Sequence, residues 1–153
     1  MDKLRKSALT VTNLSKIEQH NGLVMHAMKS SSIGYQGFGE AYFSTIDHQK
    51  TKGWKLHRKM TLNIIVPCGD IRFVVHCGKK CGDDFGIHPA IDVVLGNSNY
   101  QRLTVPPGYW LAFQGVGTSI NMLMNVADIE HDPNEAINEN LNYFNVIGFD
   151  PVG

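Results

Sequence analysis

One stretch near the middle of the chain, "KGWKLHRK", gathers Lys52, Lys55, His57, Arg58 and Lys59 within eight residues. An imidazole gains and loses a proton near neutral pH, so His57 is a candidate general acid or base. Lys55 lies two residues earlier, and strand side chains repeat with period two, so both groups share one strand face. A desolvated lysine has a lowered pKa and can take a proton; a charged one holds a phosphate or a sugar hydroxyl. Lys52, Arg58 and Lys59 suit the charge of a diphosphate, although the same cluster also suits a solvated strand end. Further along, Arg102 precedes Pro106-Pro107-Gly108 and alternates with Thr104, so it points either at a ligand or into water. Tyr109 and Trp110 follow that turn, and aromatic faces suit nucleobases and sugar rings. Trp54 and Phe113 read better as core. No role is assigned to His20, His26, His48, His76, His88 or His131.

These side chains need a scaffold, and the scaffold reads as strands. "ALTVT", "GLVMHAM", "EAYFSTI", "TLNIIV", "IRFVVHC", "AIDVVLG", "QRLTVP", "YWLAFQ" and "INMLMNV" are short and rich in β-branched or aromatic residues. Turn clusters separate them. Gly69-Asp70 has the composition of a tight hairpin, and Pro106-Pro107-Gly108 that of a sharp reversal. Only the tail, from Asp132, suggests a helical turn or two, with Asp132 as cap, Pro133 at the first position and Glu135 at the third. Many closely spaced strands imply an all-β sandwich or barrel. With 153 residues and no repeat or linker, a single domain over 1–153 is expected.

Composition excludes some classes. Apolar residues make up 42%, charged residues 18%, and formal net charge is zero. A dedicated nucleic-acid or membrane-surface binder would carry a basic excess. No run approaches the length of a spanning helix. The N-terminal "MDKLRKSALTVTNLSKIEQ" lacks an apolar stretch, so no signal peptide and a cytoplasmic location are expected. An odd count of three cysteines, Cys68, Cys77 and Cys81, then suggests reduced thiols. "CGKKC", with no second pair, is a weak metal or redox signal.

Three segments together carry a family pattern: "GEAYFSTI", "KGWKLHRKMTLNIIVPCGDIRFVV" and "NYQRLTVPPGYWLAF". They resemble the dTDP-4-dehydrorhamnose 3,5-epimerase-like cupins, in particular the shorter members among polysaccharide-biosynthesis proteins. The resemblance runs roughly from Gly39 to Pro133. It implies a single-domain cupin jelly roll (a double-stranded β-helix), usually a homodimer, acting without a metal on a nucleotide-linked 4-keto sugar. The N-terminal "ALTVTNLSKIEQ" is then a candidate to cover a sheet edge. In the family a histidine after an Arg-Gly-Leu-like triplet is the base, and a tyrosine on a later strand is the opposed acid. Here the triplet falls on Lys52-Gly53-Trp54 and the base position on Lys55. The later histidine falls on Leu111, and the tyrosine near Met124, followed by Asn125. The short relatives read Trp-His-x-His, of which only His57 remains. A cupin metal site needs a His-x-His, a carboxylate and a later histidine, so no metal and no other cofactor is expected.

The resulting expectation is an epimerase or isomerase of a nucleotide-linked sugar. His57 and Lys55 form its acid/base pair, and Lys52, Arg58, Lys59, Arg102, Tyr109, Trp110 and Asn125 contact substrate. Since Lys55 and His57 approach from one side, a same-face proton shuttle fits better than inversion, unless Tyr109 or Tyr143 supplies the opposed acid. The alternatives are a sugar-nucleotide-binding cupin without turnover and a structural partner in a biosynthetic complex.

Overall fold

The computed structural model describes residues 8–78 and 88–149. Its strands, in chain order, are β1 (Thr10–Asn13), β2 (Lys16–Gln19), β3 (Gly22–Met25), β4 (Glu40–Thr45), β5 (Thr51–His57), β6 (Leu62–Cys68), β7 (Asp70–His76), β8 (Ile91–Gly96), β9 (Gln101–Val105), β10 (Trp110–Gly115), β11 (Met122–Ala127) and β12 (Ala136–Asn138). They form two antiparallel five-stranded sheets and a hairpin. The first sheet runs β1-β9-β6-β11-β4, the second β12-β5-β10-β7-β8, and β2 pairs only with β3. The fold is the all-β cupin jelly roll.

From β4 to β7 the chain alternates between the sheets, and this decides what its turns do. Gly69-Asp70 is not a hairpin: β6 lies in the first sheet and β7 in the second. Gly69 takes φ +78°, and a Cβ there would meet Asn121 Oδ1 and the Ile120 carbonyl at 2.4 Å. Asn121 in turn accepts the Asp70 N–H at 2.9 Å. The corner is held by a residue distant in sequence, just before β11, which no local pattern records. Pro106-Pro107-Gly108 likewise carries the chain from β9 to β10, and Gly108 donates its N–H to the His57 carbonyl at 2.8 Å.

The inner faces pack Ile64, Val66, Ile71, Phe73, Val75, Leu103 and Leu123 between the sheets. A second cluster of Trp54, Val74, Trp110, Ala112, Phe144 and Phe149 lies on the other side of the second sheet. β7 contributes to both through alternate residues, so it is buried on both faces. Trp54 is fully buried there and donates its indole N–H to the Leu141 carbonyl at 3.0 Å.

β1 pairs with β9 and forms the end strand of the first sheet, where an edge cover was expected. The tail departs from expectation. Asp132 accepts the N–H groups of Asn134 and Glu135 in a turn. The chain then forms β12, pairing Ala136, Ile137 and Asn138 with His57, Leu56 and Lys55. The open edge of β5 outweighs a local helix-start signal. A 3-10 turn follows only at Leu141–Tyr143. Cys77 is disulfide-bonded, which corrects the expectation of reduced thiols, whereas Cys68 is free and exposed. The rest of "CGKKC" and the N-terminal residues 1–7 lie outside the described residues.

Candidate functional site

A cavity of about 570 Å³ opens inside the roll. That is the size of an ordinary small-molecule site. Its apolar lining is Met60, Leu62, Ile64, Leu111, Phe113 and Leu123. Its polar lining comes from both sheets. β4 supplies Glu40, Tyr42 and Ser44, three alternate residues, and β11 supplies Asn125. β5 supplies Lys52, Lys55 and His57, with Asn138 from the adjoining β12 and His131 from the turn before it.

Lys55 and His57 share a face, as period two requires. Lys52 is three residues from Lys55 and would lie on the opposite face of a regular strand. A bulge removes the conflict. Leu111 pairs with Lys55 and Phe113 with Lys52, so two β5 residues oppose one on β10. Gly53 occupies the bulge with φ +139°, where a Cβ would stand 2.5 Å from that of Ala112.

His57 is held by a carboxylate that the sequence reading did not assign to the site. Its Nδ1 bonds Glu135 Oε1, which leaves Nε2 for the cavity. Glu135 is 4% exposed, and its other oxygen accepts the N–H groups of Arg58, Lys59 and Met60 at 3.2, 3.1 and 3.3 Å. Burial alone would raise this carboxyl. The hydrogen bonds from His57 and the backbone, with the His57 charge, outweigh that and hold it below its ordinary value. An ionised carboxylate on Nδ1 fixes the tautomer with its proton on Nδ1, so Nε2 is free to accept one.

A second assembly stands on the first sheet. Asn125 is buried, and its Oδ1 accepts the Asn63 N–H at 3.1 Å. Its amide therefore points the other way and donates to the Tyr42 hydroxyl oxygen at 3.2 Å. Tyr42 accepts that bond, so its own proton remains available to the cavity. Tyr42 and His57 thus reach one cavity from different sheets. The alternation of Glu40, Tyr42 and Ser44 in "EAYFST" is the signal that could have found Tyr42. Glu135 has no local signal, because it lies 78 residues from His57.

Of the residues singled out from sequence, Lys52, Lys55, His57 and Asn125 line this cavity, and five do not. Arg58 and Lys59 contribute backbone N–H groups to Glu135 instead. Trp110 is buried in the outer aromatic cluster, with Tyr143 packed on it at 5.2 Å between ring centroids. This corrects both as site groups: an outward residue of β10 cannot face the cavity. Tyr109 packs against the inner core. Arg102 is only 2% exposed and lies on the outer side of the first sheet, paired in register with Thr12 and Ile65. It alternates with the inward Leu103, which corrects its expected place at the ligand. Among the described residues, no three His, Cys, Asp or Glu side chains gather as a metal set. No helix among them is long and apolar enough to cross a membrane.

No protein-family model matches the chain, and no curated protein matches it significantly. Solved structures do. A dTDP sugar isomerase from Desulfovibrio desulfuricans superposes with TM-score 0.81 at 29% identity, over 91% of this chain and 89% of that one. A dTDP-4-dehydrorhamnose 3,5-epimerase from Sulfolobus tokodaii gives 0.71 at 17%, over 86% and 77%. A sugar 3,4-ketoisomerase from Thermoanaerobacterium thermosaccharolyticum, solved in complex with TDP, gives 0.69 at 15%, over 92% and 93%. The order of the strands, the cavity between their sheets and these likenesses agree with the sequence pattern: the chain has the cupin fold of these structures and is similar to the dTDP-4-dehydrorhamnose 3,5-epimerase-like proteins.

Proposed function

We propose that the protein is an isomerase or epimerase of a nucleotide-linked 4-keto sugar. The observation that carries this reading is the His57–Glu135 pair in the wall of a cavity that Tyr42 enters from the other sheet. A ketone acidifies the hydrogens on its neighbouring carbons. His57 Nε2 removes one, and Glu135 stabilises the imidazolium that results. Tyr42 gives a proton to the developing enolate oxygen or to the ring carbon. The first outcome gives an enediol, whose neighbouring hydroxyl then loses its proton while the former carbonyl carbon takes the one held by His57, so the ketone migrates; the second gives an inverted centre. Among the described residues Lys55 forms no hydrogen bond or ion pair, so its ammonium suits a phosphate or a sugar hydroxyl. Lys52 is partly committed, donating to the Thr45 carbonyl at 2.9 Å. The apolar lining around Leu62, Leu111 and Leu123 suits a deoxygenated part of the sugar.

The test is incubation with a dTDP-4-keto-6-deoxy sugar in deuterated water, followed by NMR at the carbons beside the ketone. Deuterium incorporation with a migrated ketone or an inverted centre is expected. Binding without exchange above the buffer rate would leave only the non-catalytic alternative. A homodimer is part of the same proposal: Phe43 on the edge strand β4 and nearby Phe38 are each 66% exposed, and a second copy would cover them. Light scattering at the mass of one chain would refute that part.

A further inference from the structure

Arg102 is among the largest fully buried side chains, yet no carboxylate among the described residues pairs with it. Two of its nitrogens donate to backbone carbonyls, Nη1 to Ala27 at 3.0 Å and Nη2 to Ile33 at 2.8 Å. Its Nε has no partner among the described residues. Thr12, its register neighbour on β1, also has a buried hydroxyl without a partner. Both residues line one cavity of about 370 Å³, outside the roll and on the opposite side of the first sheet from His57. Ser15, His26, Lys29 and Ser32 line it as well, and no Asp or Glu does. Buried polar groups are normally satisfied, and a buried cation is normally paired. Here a guanidinium, a hydroxyl and an ammonium share a cavity into which the described residues bring no negative charge. Burial also lowers the Arg102 pKa, as expected of a cation that lacks its counter-charge.

We propose that this cavity is a binding site for a small oxyanion of the phosphate class, held by Arg102 and Thr12 and enclosed by Lys29. The guanidinium offers a planar donor and the threonine a rotating one, which suits an oxyanion with several acceptor atoms. Both orphaned atoms are shielded from solvent, and the stretch 26–33 holds the guanidinium through the Ala27 and Ile33 carbonyls. The anion seats as that stretch shifts, exchanging one guanidinium–carbonyl bond for an anion contact. The preceding β2–β3 hairpin pairs with neither large sheet, so few ladder bonds oppose the shift. The site is independent of the barrel chemistry.

The experiment is thermal melting in inorganic phosphate against chloride at equal ionic strength, on wild type, Thr12→Val, Arg102→Lys and Lys55→Met. At ten times its Kd, phosphate raises Tm by about 3–5 °C. Lys55→Met keeps this shift, because Lys55 belongs to the other cavity. Thr12→Val keeps the β-branched strand shape but loses one donor to a charged group, so phosphate affinity falls about tenfold or more. Arg102→Lys abolishes the shift if the variant folds; Thr12→Val decides the matter if it does not. The proposal is overturned if Thr12→Val keeps the full shift, if Lys55→Met removes it, or if wild type shows none up to about 50 mM phosphate, a range that covers millimolar Kd values.

Discussion

Replacing Glu135 separates the two jobs its carboxylate performs. Glu135→Gln keeps the size and one acceptor oxygen, which serves the N–H groups of Arg58, Lys59 and Met60. Its amide then faces His57 Nδ1 and donates to it. The imidazole must take the other tautomer, with its proton on Nε2, and it can no longer accept one from the sugar. The expected loss in the exchange rate is about 10²–10⁴-fold. Stability changes little, by about 1 kcal/mol, as a neutral hydrogen bond replaces a charged one. Glu135→Ala instead strips the acceptor from three backbone N–H groups, one of them on the buried Met60. That costs about 2–4 kcal/mol, or a fall in Tm of about 6–12 °C for a chain of this size. The assay is deuterium incorporation beside the ketone, with Tm measured on the same samples. If Glu135→Gln exchanges within about threefold of wild type, a difference of only ~0.7 kcal/mol in barrel chemistry, the tautomer argument is wrong.

Tyr42→Phe removes the hydroxyl that accepts from Asn125, on a residue that is 43% exposed. Stability should change by no more than about 0.5 kcal/mol, whereas product formation falls about 10²-fold or more while deuterium exchange at the first carbon persists; equal loss of both would place Tyr42 elsewhere in the reaction. Burial raises the Asp128 carboxyl above its ordinary 3.8, against the opposing bond from the Thr61 N–H. Its stabilising contribution is therefore complete below 3.8 and is lost as pH rises through the raised value, so Asp128→Asn is as stable as wild type or more so at pH 7, with the gain vanishing in acid; urea melts at several pH values measure this. His57→Asn loses exchange, and adding Lys55→His does not restore it; recovery to within about tenfold of wild type would refute the pairing of base and carboxylate.

The strands were legible because their residues alternate or run apolar: "IRFVVHC" and "TLNIIV" became β7 and β6. The corners between them were not. Gly69-Asp70 has hairpin composition, but Asn121 turns it into a passage between sheets. β12 was hidden behind a helix-start signal, because the edge it satisfies belongs to β5. In the site, Lys55 and His57 followed from period two, and Lys52 reached the same cavity only through the bulge at Gly53. Arg102 shows the limit of alternation. "QRLTV" tells that Arg102 and Thr104 share a face, but not which sheet side that face is.

The lysine at the family's base position is accounted for by where the carboxylate sits. Glu135 immediately precedes β12, whose first residue, Ala136, pairs with His57. Lys55 pairs with Asn138, two residues further along. Two strand residues span about 6.6–6.8 Å, more than twice a hydrogen bond. A histidine at position 55 would share the cavity face but would lie beyond the reach of Glu135, with no carboxylate to fix its tautomer. At position 57 the same ring keeps its face, because the shift is by two and not by one, and it gains the partner. A shift by one would have placed the ring at Leu56, which packs against the outer cluster with Trp54. In the proposed reaction the base is therefore His57, where period two and the position of one buried carboxylate both allow it. In the same proposal Lys55, which makes no hydrogen bond or ion pair among the described residues, meets the charged part of a nucleotide sugar from the same wall.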